Sequence, residues 1–506
     1  MTAGPPSTDT DAFAASRALF GSTLDWLDGA EAAGLDHAQL ETQLQGKGRE
    51  LLRQLFQDRM DLRAARERPR AEVLDADAMA RTRVESGHTR ALSTVFGEVS
   101  VSRMAYRAPG RANLHPADAE LNLPAEKHSH GLRQLAAIEA ARGSFDDTVA
   151  AMDRHTGVRL GKRQVEQLAV AAAADFDDFY AQRTPPQPDP GDDPKRTSVL
   201  VCSVDGKGIV MRPDALRPAT AKAANTATTK LRTRLSKGEK RNRKRLAEVG
   251  AVYHAAPVPR TAADILARSG QPHQPAPVAV DKWLTASVID DAATVISAVF
   301  DEADRRDPNH QLTRIALVDG NNHQIDRIHT EAAARGIDIT IIVDFIHVLE
   351  YLWKAAWCFH DEADPAAETW VRDKATAILD DHARAVAAGI RRRATRNRLA
   401  QPQRAAAHTC ADYLTAKAPY LNYSQALQSG WPIATGVIEG ACRHLVKDRL
   451  DITGARWGLT GAEAILKLRA LHSNGDFDIY WQYHLQREHN RVHQTRYLNG
   501  QIPRAA

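Results

Sequence analysis

The sequence has few cysteines to cross-link a small fold and lacks the long apolar stretches that span membranes. It has 4 cysteines and 6 methionines in 506 residues, and aromatic side chains make up 6%. No two cysteines stand at C-x-x-C spacing, so neither disulfides nor structural zinc are expected. No apolar stretch approaches the roughly 18 residues of a membrane span. Residues 1–13 lack basic side chains and an apolar core, so we expect no export signal and a cytoplasmic protein.

The remaining composition is that of a globular protein. Hydrophobic residues make up 43% and charged residues 26% of the chain, and its length predicts about three domains. The net charge of +4 indicates a polyanionic partner only if basic residues cluster. Residues 184–194 (TPPQPDPGDDP) have the composition of a linker. The chain before this linker is rich in helical patterns, and the chain after it alternates between strands and helices.

The region before the linker shows one pattern with a possible DNA-binding role. Residues 19–66 repeat leucine at helical intervals, and residues 94–107 alternate like a small β element. Ser144 is placed to cap one helix, Gly157 to turn the chain, and Gly161 to open a second helix. In a helix-turn-helix, the second helix would present Lys162 and Arg163 to a DNA major groove. Ordinary packing of two helices is the alternative.

Three apolar runs after the linker each end in an aspartate. They cover residues 198–204, 313–318 and 339–343, and they end at Asp205, Asp319 and Asp344. Functional groups gather at the carboxyl ends of parallel strands, so these acids are candidates for a metal site. The glycines after Asp205 predict a turn into a second strand at residues 209–211. Any one such aspartate, taken alone, is more typical of a helix cap or turn.

A further acid lies on a predicted helix near the end of the chain. In residues 434–449 (ATGVIEGACRHLVKDR), Glu439, Arg443 and Lys447 stand at i, i+4 and i+8 along one stripe. A carboxylate followed by two cations fits a site for phosphate and divalent metal, since paired ions need several acids. A surface ion pair is the alternative.

Basic residues cluster strongly between positions 230 and 245. Nine basic side chains stand there against one acid, a net charge of +8, as expected for binding phosphates. A solvated charged helix is the alternative. A second run, residues 391–398, could contact DNA or simply cover a surface. The nine are Lys230, Arg232, Arg234, Lys237, Lys240, Arg241, Arg243, Lys244 and Arg245.

Several long motifs in this half of the chain together resemble one family. They are VDGKGIVMRP, TRLSKGEKRNRKR, ALVDGNNHQI, VDFIHVLEYLWKAAW, WPIATGVIEGACRHLVKDR and ITGARWGL. These motifs are similar to those of the Kra-type bacterial insertion-sequence transposases, which belong to the DDE class. The resemblance implies an α/β fold: a ribonuclease-H-like mixed sheet with large helical insertions, preceded by a mainly α-helical DNA-binding region.

The resemblance also implies a catalytic site. Asp205, Asp319 and Glu439 would hold two Mg²⁺ ions, for which Mn²⁺ can substitute. The implied strand order, 3-2-1-4-5, puts the strand of Asp319 beside that of Asp205 and favours Asp319 over Asp344 as the second acid. His347 either positions DNA or an acid, or packs at a helix start. Trp457 either stacks on an unpaired base or is buried.

The sequence thus predicts a transposase that binds double-stranded DNA at inverted repeats and then cleaves and joins strands. We expect a homo-oligomer on DNA, a nucleoid-associated location and no membrane partner. A structure-selective nuclease and an inactive DNA-binding repressor are the alternatives. The expected domains are a helical region (1–90), a β element with helix-turn-helix (91–183), a linker (184–197), a catalytic domain (198–475) with a basic insertion (212–277) and a helical insertion (about 360–432), and a tail (476–506).

Overall fold

The computed structural model describes residues 11–183, 199–226, 243–268, 270–452 and 454–504. The chain forms two compact units. One combines the described parts of Met1–Ala181 and Asp476–Ala506, and the other lies within Gln182–Gly475. The predicted tail therefore belongs to the N-terminal unit, and the predicted linker lies outside the described residues. In the part of the chain that is described, no helix is long and apolar enough to cross a membrane.

The N-terminal unit is mainly helical. Its strands pair as an antiparallel hairpin in which Thr94 lies opposite Gly97, while helix α3 packs on the second strand. The hairpin starts inside the range 1–90 that was expected to be helical. The elements are α1 (Ala14–Asp28), α2 (Ala30–Ala33), α3 (His37–Arg66), β1 (Arg83–Thr94), β2 (Gly97–Arg107), α4 (Pro116–Glu120), α5 (His130–Arg142), α6 (Phe145–Thr156), α7 (Lys162–Ala172) and α8 (Phe176–Gln182).

Residues after Asp476 join this unit through a buried polar network. They form a long helix, Phe477–Val492, followed by two short 3₁₀ turns, Gln494–Arg496 and Leu498–Gly500. The helix brings His484 within 2.7 Å of the Asp175 carboxylate, and Arg491 donates to both oxygens of that carboxylate at 2.6 and 2.9 Å. Buried charges are stable only when paired in this way, so the helix is part of the unit's core.

The predicted helix-turn-helix elements are present as α6 and α7. The Ser144 side chain caps α6 in a capping box with Asp147, and Gly157 ends it in the left-handed conformation. Lys162 and Arg163 lie exposed on the first turn of α7. The Lys162 ammonium is 2.6 Å from the carboxylate of Asp146, which is also exposed. Binding of DNA by this pair of helices remains a prediction.

The second unit is an α/β structure built on a five-stranded sheet. Its elements are β3 (Val199–Val210), a 3₁₀ turn (Pro213–Ala215), α9 (Pro218–Thr226), β4 (Lys244–Ala255), α10 (Ala262–Ile265), β5 (Ala279–Ser287), α11 (Ala292–Arg306), β6 (Thr313–Val318), α12 (Asn322–Arg335), β7 (Thr340–Val343), α13 (Phe345–Ala356), α14 (Pro365–Leu379), α15 (Ala383–Arg396), α16 (Gln401–Lys417), a 3₁₀ turn (Ala418–Tyr420), α17 (Tyr423–Gln428), α18 (Gly436–Ala441), a π-helical turn (Cys442–Lys447), α19 (Asp448–Leu450) and α20 (Leu459–Ser473). The C-terminal helix of the first unit is then α21 (Phe477–Val492).

The order of strands in the sheet is β5-β4-β3-β6-β7. The pairs β5/β4 and β4/β3 are antiparallel, and β3/β6 and β6/β7 are parallel. Numbered along the chain within this sheet, the order is 3-2-1-4-5, with the strand before Asp319 directly beside the strand that carries Asp205. That adjacency was expected.

Two expectations about this sheet are wrong. Strand β3 does not end at Asp205 and turn; it continues through Gly206 and Gly208 to Val210, paired with β4 throughout. A Cβ on Gly206 would lie 2.7 Å from the Leu246 side chain, so glycine here lets a cross-strand side chain cover the strand. The range 212–277, expected as an insertion, contains the core strand β4. Lys244 and Arg245 open that strand rather than a helix.

Candidate active site

Three aspartates lie level at one edge of the parallel part of the sheet. The last β3/β6 pair is Ser203 with Leu317, and the last β6/β7 pair is Val318 with Val343. Continuing both registers places Asp205 level with Asp319, and Asp319 level with Asp344. The backbone N–H of Asp344 still donates to the Val318 carbonyl at 2.8 Å, so β7 keeps its alignment up to this acid.

The segment from Thr435 to Cys442 is anchored to both outer members of this row. The Thr435 hydroxyl donates to Oδ2 of Asp344 at 2.5 Å, and the Cys442 thiol donates to Oδ2 of Asp205 at 3.3 Å. Glu439 lies between these two anchors on α18 and is exposed. The helix changes to a π-helical turn at Cys442, and such turns are frequent at functional sites. The regular α-helical stripe predicted for Glu439, Arg443 and Lys447 is therefore interrupted.

Asp344 is a fully buried N-cap whose carboxylate has three polar partners. It accepts the backbone N–H of Ile346 at 2.9 Å and the Thr435 hydroxyl, and it lies 3.2 Å from Nδ1 of His347. Burial lowers the pKa of His347, but the hydrogen bond to Asp344 and the charges of Asp344 and Asp319 raise it more. The net shift of the His347 pKa is upward.

One possible metal-binding cluster emerges from the described residues. Asp344, His347 and Glu439 can each place one ligand atom within 4.8 Å of the others. Asp205 and Asp319 do not enter a cluster of this tightness. The donor chemistry separates the two sets, because Mg²⁺ and Mn²⁺ prefer oxygen ligands, whereas imidazole suits transition metals such as Zn²⁺. The all-carboxylate set of Asp205, Asp319 and Glu439 suits Mg²⁺ in donor type, and its role as a ligand set remains a prediction.

The helical insertion supports the backbone around Asp319. The Tyr413 hydroxyl on α16 donates to the Asp319 carbonyl at 3.1 Å, and the Asp319 side chain accepts the N–H of Asn321 at 2.8 Å. Gly320 has a φ of +95°, and a Cβ there would lie 2.8 Å from the Tyr413 hydroxyl. Only glycine fits this turn without strain. Buried Lys417 hydrogen-bonds Asn322; burial lowers its pKa and the charge of Asp319 partly offsets that effect.

A second buried acid lies beside Asp205. Glu248 on β4 pairs with Gly206 across the sheet and is 8% exposed. Burial raises its pKa to about 7; the charge of Arg217 opposes the shift, and the charge of Asp205 adds to it. Burial, followed by the charge of Asp205, also raises the pKa of Cys442, so this thiol stays protonated and acts as a donor.

The predicted DNA-binding cations divide into exposed and structural groups. Arg443 and Lys447 are exposed, close in sequence to Glu439. Arg245 instead donates to the Val288 carbonyl at 2.6 Å, which is a structural role. Arg243 and Lys244 are half-buried. The other members of the cluster lie outside the described residues: Lys230, Arg232, Arg234, Lys237, Lys240 and Arg241.

Two further candidates have structural roles. Trp457 is buried, its ring N–H donates to the Leu450 carbonyl at 3.0 Å, and the Arg449 guanidinium lies over its ring. Stacking of Trp457 on a base is therefore excluded in this conformation. In the second basic run, the guanidinium of Arg393 packs over the rings of Phe359 and Trp370.

Sequence reasoning missed Thr435 and Cys442, which anchor the Glu439 segment, and Tyr413 and Glu248. Their sequence neighbourhoods gave little signal. Cys442 falls on the apolar face of the predicted helix, and its carboxylate partner is 237 positions away. Glu248 lies within the range read as an insertion.

Comparisons with known proteins add little to this geometry. No protein-family model matches the chain. No curated protein matches it. Among solved structures, a Drosophila P element transposase strand transfer complex matches 74% of this chain and 81% of that chain, at 9% identity and a TM-score of 0.20. A TM-score this low carries no argument, so function has to be argued from the residues of the site.

Proposed function

We propose that this protein is a DDE-type DNA transposase of an insertion sequence, which binds the element's terminal inverted repeats and then cleaves and rejoins DNA strands. The sequence motifs resemble that class. The sheet order supports a ribonuclease-H-like core, because it has the 3-2-1-4-5 arrangement with the first three strands antiparallel.

One observation carries the proposal. Asp205, Asp319 and Asp344 lie level where the parallel part of the sheet ends, and the segment with Glu439 is anchored there by the hydrogen bonds of Thr435 and Cys442. Acids distant in the sequence thus gather where α/β sheets hold their functional groups. A helix N-cap role explains Asp344 alone, but it does not explain why an acid-bearing helix is tied to both ends of the row.

In this proposal the acids hold paired Mg²⁺ ions, which would activate the attacking oxygen and stabilise the leaving one. Asp205, at the centre of the sheet, would hold the ions together with Asp319 and Glu439. No residue of the chain needs to form a covalent bond with DNA. Exposed Arg443 and Lys447 would contact phosphate oxygens near Glu439.

Asp344 and His347 take a positioning role in the proposal. Asp344 accepts the Thr435 hydroxyl at 2.5 Å, and the oxygen of that hydroxyl lies 3.5 Å from the Glu439 carboxylate. Because the single hydroxyl proton is donated to Asp344, this bond would position Thr435 and the start of the helix that carries Glu439. His347, 3.2 Å from the Asp344 carboxylate, would be held by it next to the reacting phosphate.

DNA binding would come from α7 through Lys162 and Arg163, and from the basic residues between 230 and 244. The electrostatic part of that binding should weaken steeply with salt. Assembly as a homo-oligomer on two element ends and a cytoplasmic, nucleoid-associated location belong to the same proposal.

The test is an assay on a supercoiled plasmid that carries the gene with its flanking DNA, incubated with purified protein and Mg²⁺. Cleavage at the element's ends followed by joining to a second plasmid supports the transposase. Cleavage without joining, even with pre-cut ends, would replace it by a structure-selective nuclease. Binding of the ends without any metal-dependent cleavage would replace it by an inactive repressor.

A further inference from the structure

Helix α1 buries polar residues and exposes apolar ones. The buried residues of α1 are Ser16 and Thr23, and the Ser16 hydroxyl and backbone N–H both bind the buried carboxylate of Asp58 on α3. The apolar residues of α1 instead face solvent: Phe20, Leu24 and Leu27 are 37–52% exposed. Their spacing of four and three residues places them on one stripe.

Helix α3 exposes a matching stripe. Leu44, Leu52 and Leu55 are 39–48% exposed, and Gly48 stands one turn from Leu44 and one turn from Leu52. A Cβ on Gly48 would meet nothing within 4 Å. Glycine in a helix interior costs about 1 kcal/mol relative to alanine, so its presence in this row fits close approach by another helix.

The two stripes belong to one antiparallel helical hairpin. Ser16 contacts Asp58, and the Lys47 ammonium lies 4.5 Å from the centre of the Trp26 ring, so the two helices run in opposite directions. This register sets Phe20 level with Leu52 and Leu55. We name the surface formed by Phe20, Leu24, Leu27, Leu44, Leu52 and Leu55 the hairpin face.

We infer that the hairpin face binds the same face of a second copy of this chain, forming a four-helix bundle in the absence of DNA. Exposed apolar stripes on two adjacent helices are unusual on a monomer surface and typical of an interface. The inference concerns assembly alone and stands whether or not the proposed chemistry is correct.

Charge selects a second copy as the occupant. Exposed Glu31 and Glu41 lie near the loop end of the hairpin, and exposed Arg59 and Arg66 lie towards its open end. Two hairpins related by a two-fold axis across the helices would set the acidic end of each against the basic end of the other. Because the same face carries an acidic end and a basic end, it is complementary in charge to the same face of a second copy, as isologous interfaces require.

The test measures self-association of the full-length protein without DNA by sedimentation velocity from about 1 to 50 µM. The wild type should sediment as a dimer. The variant Leu24→Glu/Leu52→Glu should raise the dissociation constant at least about 10-fold, since each buried charge lacks a partner. The control Ile479→Glu changes an even more exposed apolar residue on α21 of the same unit and should leave the dimer intact. Circular dichroism checks that each variant keeps its helices.

A second arm avoids any substitution of apolar residues. Arg59→Glu/Arg66→Glu should weaken the dimer, and adding Glu31→Arg/Glu41→Arg in the same chain should restore it. A wild type that stays monomeric at about 50 µM overturns the inference. So does a dimer that survives both the Leu24/Leu52 change and the arginine reversal.

Discussion

The Cys442 thiol donates a hydrogen bond to Oδ2 of Asp205 across 3.3 Å, joining a helical segment near the end of the second unit to the first strand of its sheet. Asp205 uses its other oxygen to accept the N–H of Gly206 at 2.6 Å. The carboxylate is therefore held at both oxygens, and its orientation towards any ion at the sheet edge depends on a thiol that cannot ionise readily.

Replacing Cys442 should test this orientation. Cys442→Val removes the donor at similar volume and should lower Mn²⁺ affinity about 10-fold, the usual scale for loss of a group that orients a ligand. Cys442→Ser keeps a donor and should retain most of the affinity. Titration calorimetry with Mn²⁺ measures both. Cys410→Val, a buried cysteine on α16, is the control. Equal effects in Cys442→Val and Cys410→Val would contradict the proposed orientation.

Glu248 should make the unit less stable at high pH. Its folded pKa is about 7, above the ordinary 4.5, so the folded state binds more protons than the unfolded state between those values. The contribution of Glu248 to stability is therefore complete below pH 4.5 and is lost as the pH rises to about 7. Glu248→Gln should remove this loss. The difference in free energy of unfolding between the variant and the wild type should therefore change by about 3 kcal/mol in favour of the variant between pH 4.5 and pH 8.

Chemical denaturation in EDTA at the two pH values measures the Glu248 effect. Glu350→Gln, which removes an exposed acid on α13 and keeps Glu248, serves as control and should lose stability with pH as the wild type does. An unchanged pH dependence in Glu248→Gln would show that this carboxyl titrates normally.

Gly320 should be intolerant of a side chain. Gly320→Ala places a Cβ at φ +95° and 2.8 Å from the Tyr413 hydroxyl, and it should lower the free energy of unfolding by about 1–3 kcal/mol. Tyr413→Phe removes the contacting oxygen, so the cost of Gly320→Ala should be smaller in the Tyr413→Phe background. Denaturant unfolding of the four proteins gives the coupling. Strict additivity would mean that Tyr413 does not confine this turn.

The sequence predicted the parallel half of the sheet better than the antiparallel half. Apolar runs before Asp319 and Asp344 ended as buried strands, because strands covered on both faces leave a continuous hydrophobic signal. The sequence predicted too early an end for β3, because glycines at 206 and 208 are typical of turns. In the structure they leave space for the side chains of Leu246 and Lys244 on the neighbouring strand. Strand β4 was missed because basic residues run directly into its start.

The site was only partly predictable for a different reason. Adjacency of the strands of Asp205 and Asp319 followed from the implied strand order. The approach of Glu439 to Asp344 and His347 did not, because it depends on the Thr435 hydroxyl and on a change of helical type at Cys442. Contacts between residues this far apart leave no periodic pattern in a single sequence.

Asp175 should be essential for the first unit. Burial raises the pKa of Asp175, but hydrogen bonds from Arg491 and His484 lower it by more, so the carboxyl stays ionised. Asp175→Asn removes the carboxylate charge that pairs with Arg491 and His484, and it should lower the free energy of unfolding by about 3–5 kcal/mol. Asp178→Asn removes an exposed partner of Arg487 and should cost at most about 1 kcal/mol. Comparable losses in the two variants, measured by denaturant unfolding, would mean that the buried network contributes nothing special.

The central claim is that Asp205, Asp319 and Glu439 jointly bind the ions that cleave DNA. The most direct measurement is the rate of Mg²⁺-dependent cleavage at the element's ends by wild type, Asp205→Asn, Asp319→Asn, Glu439→Gln and the exposed-acid control Glu350→Gln, with end binding measured in parallel. We predict at least a 1,000-fold loss of cleavage for the first three substitutions, about 4 kcal/mol of transition-state stabilisation. Binding should persist, and the control should cleave normally. Cleavage at near wild-type rate by Asp205→Asn or Asp319→Asn would contradict the account.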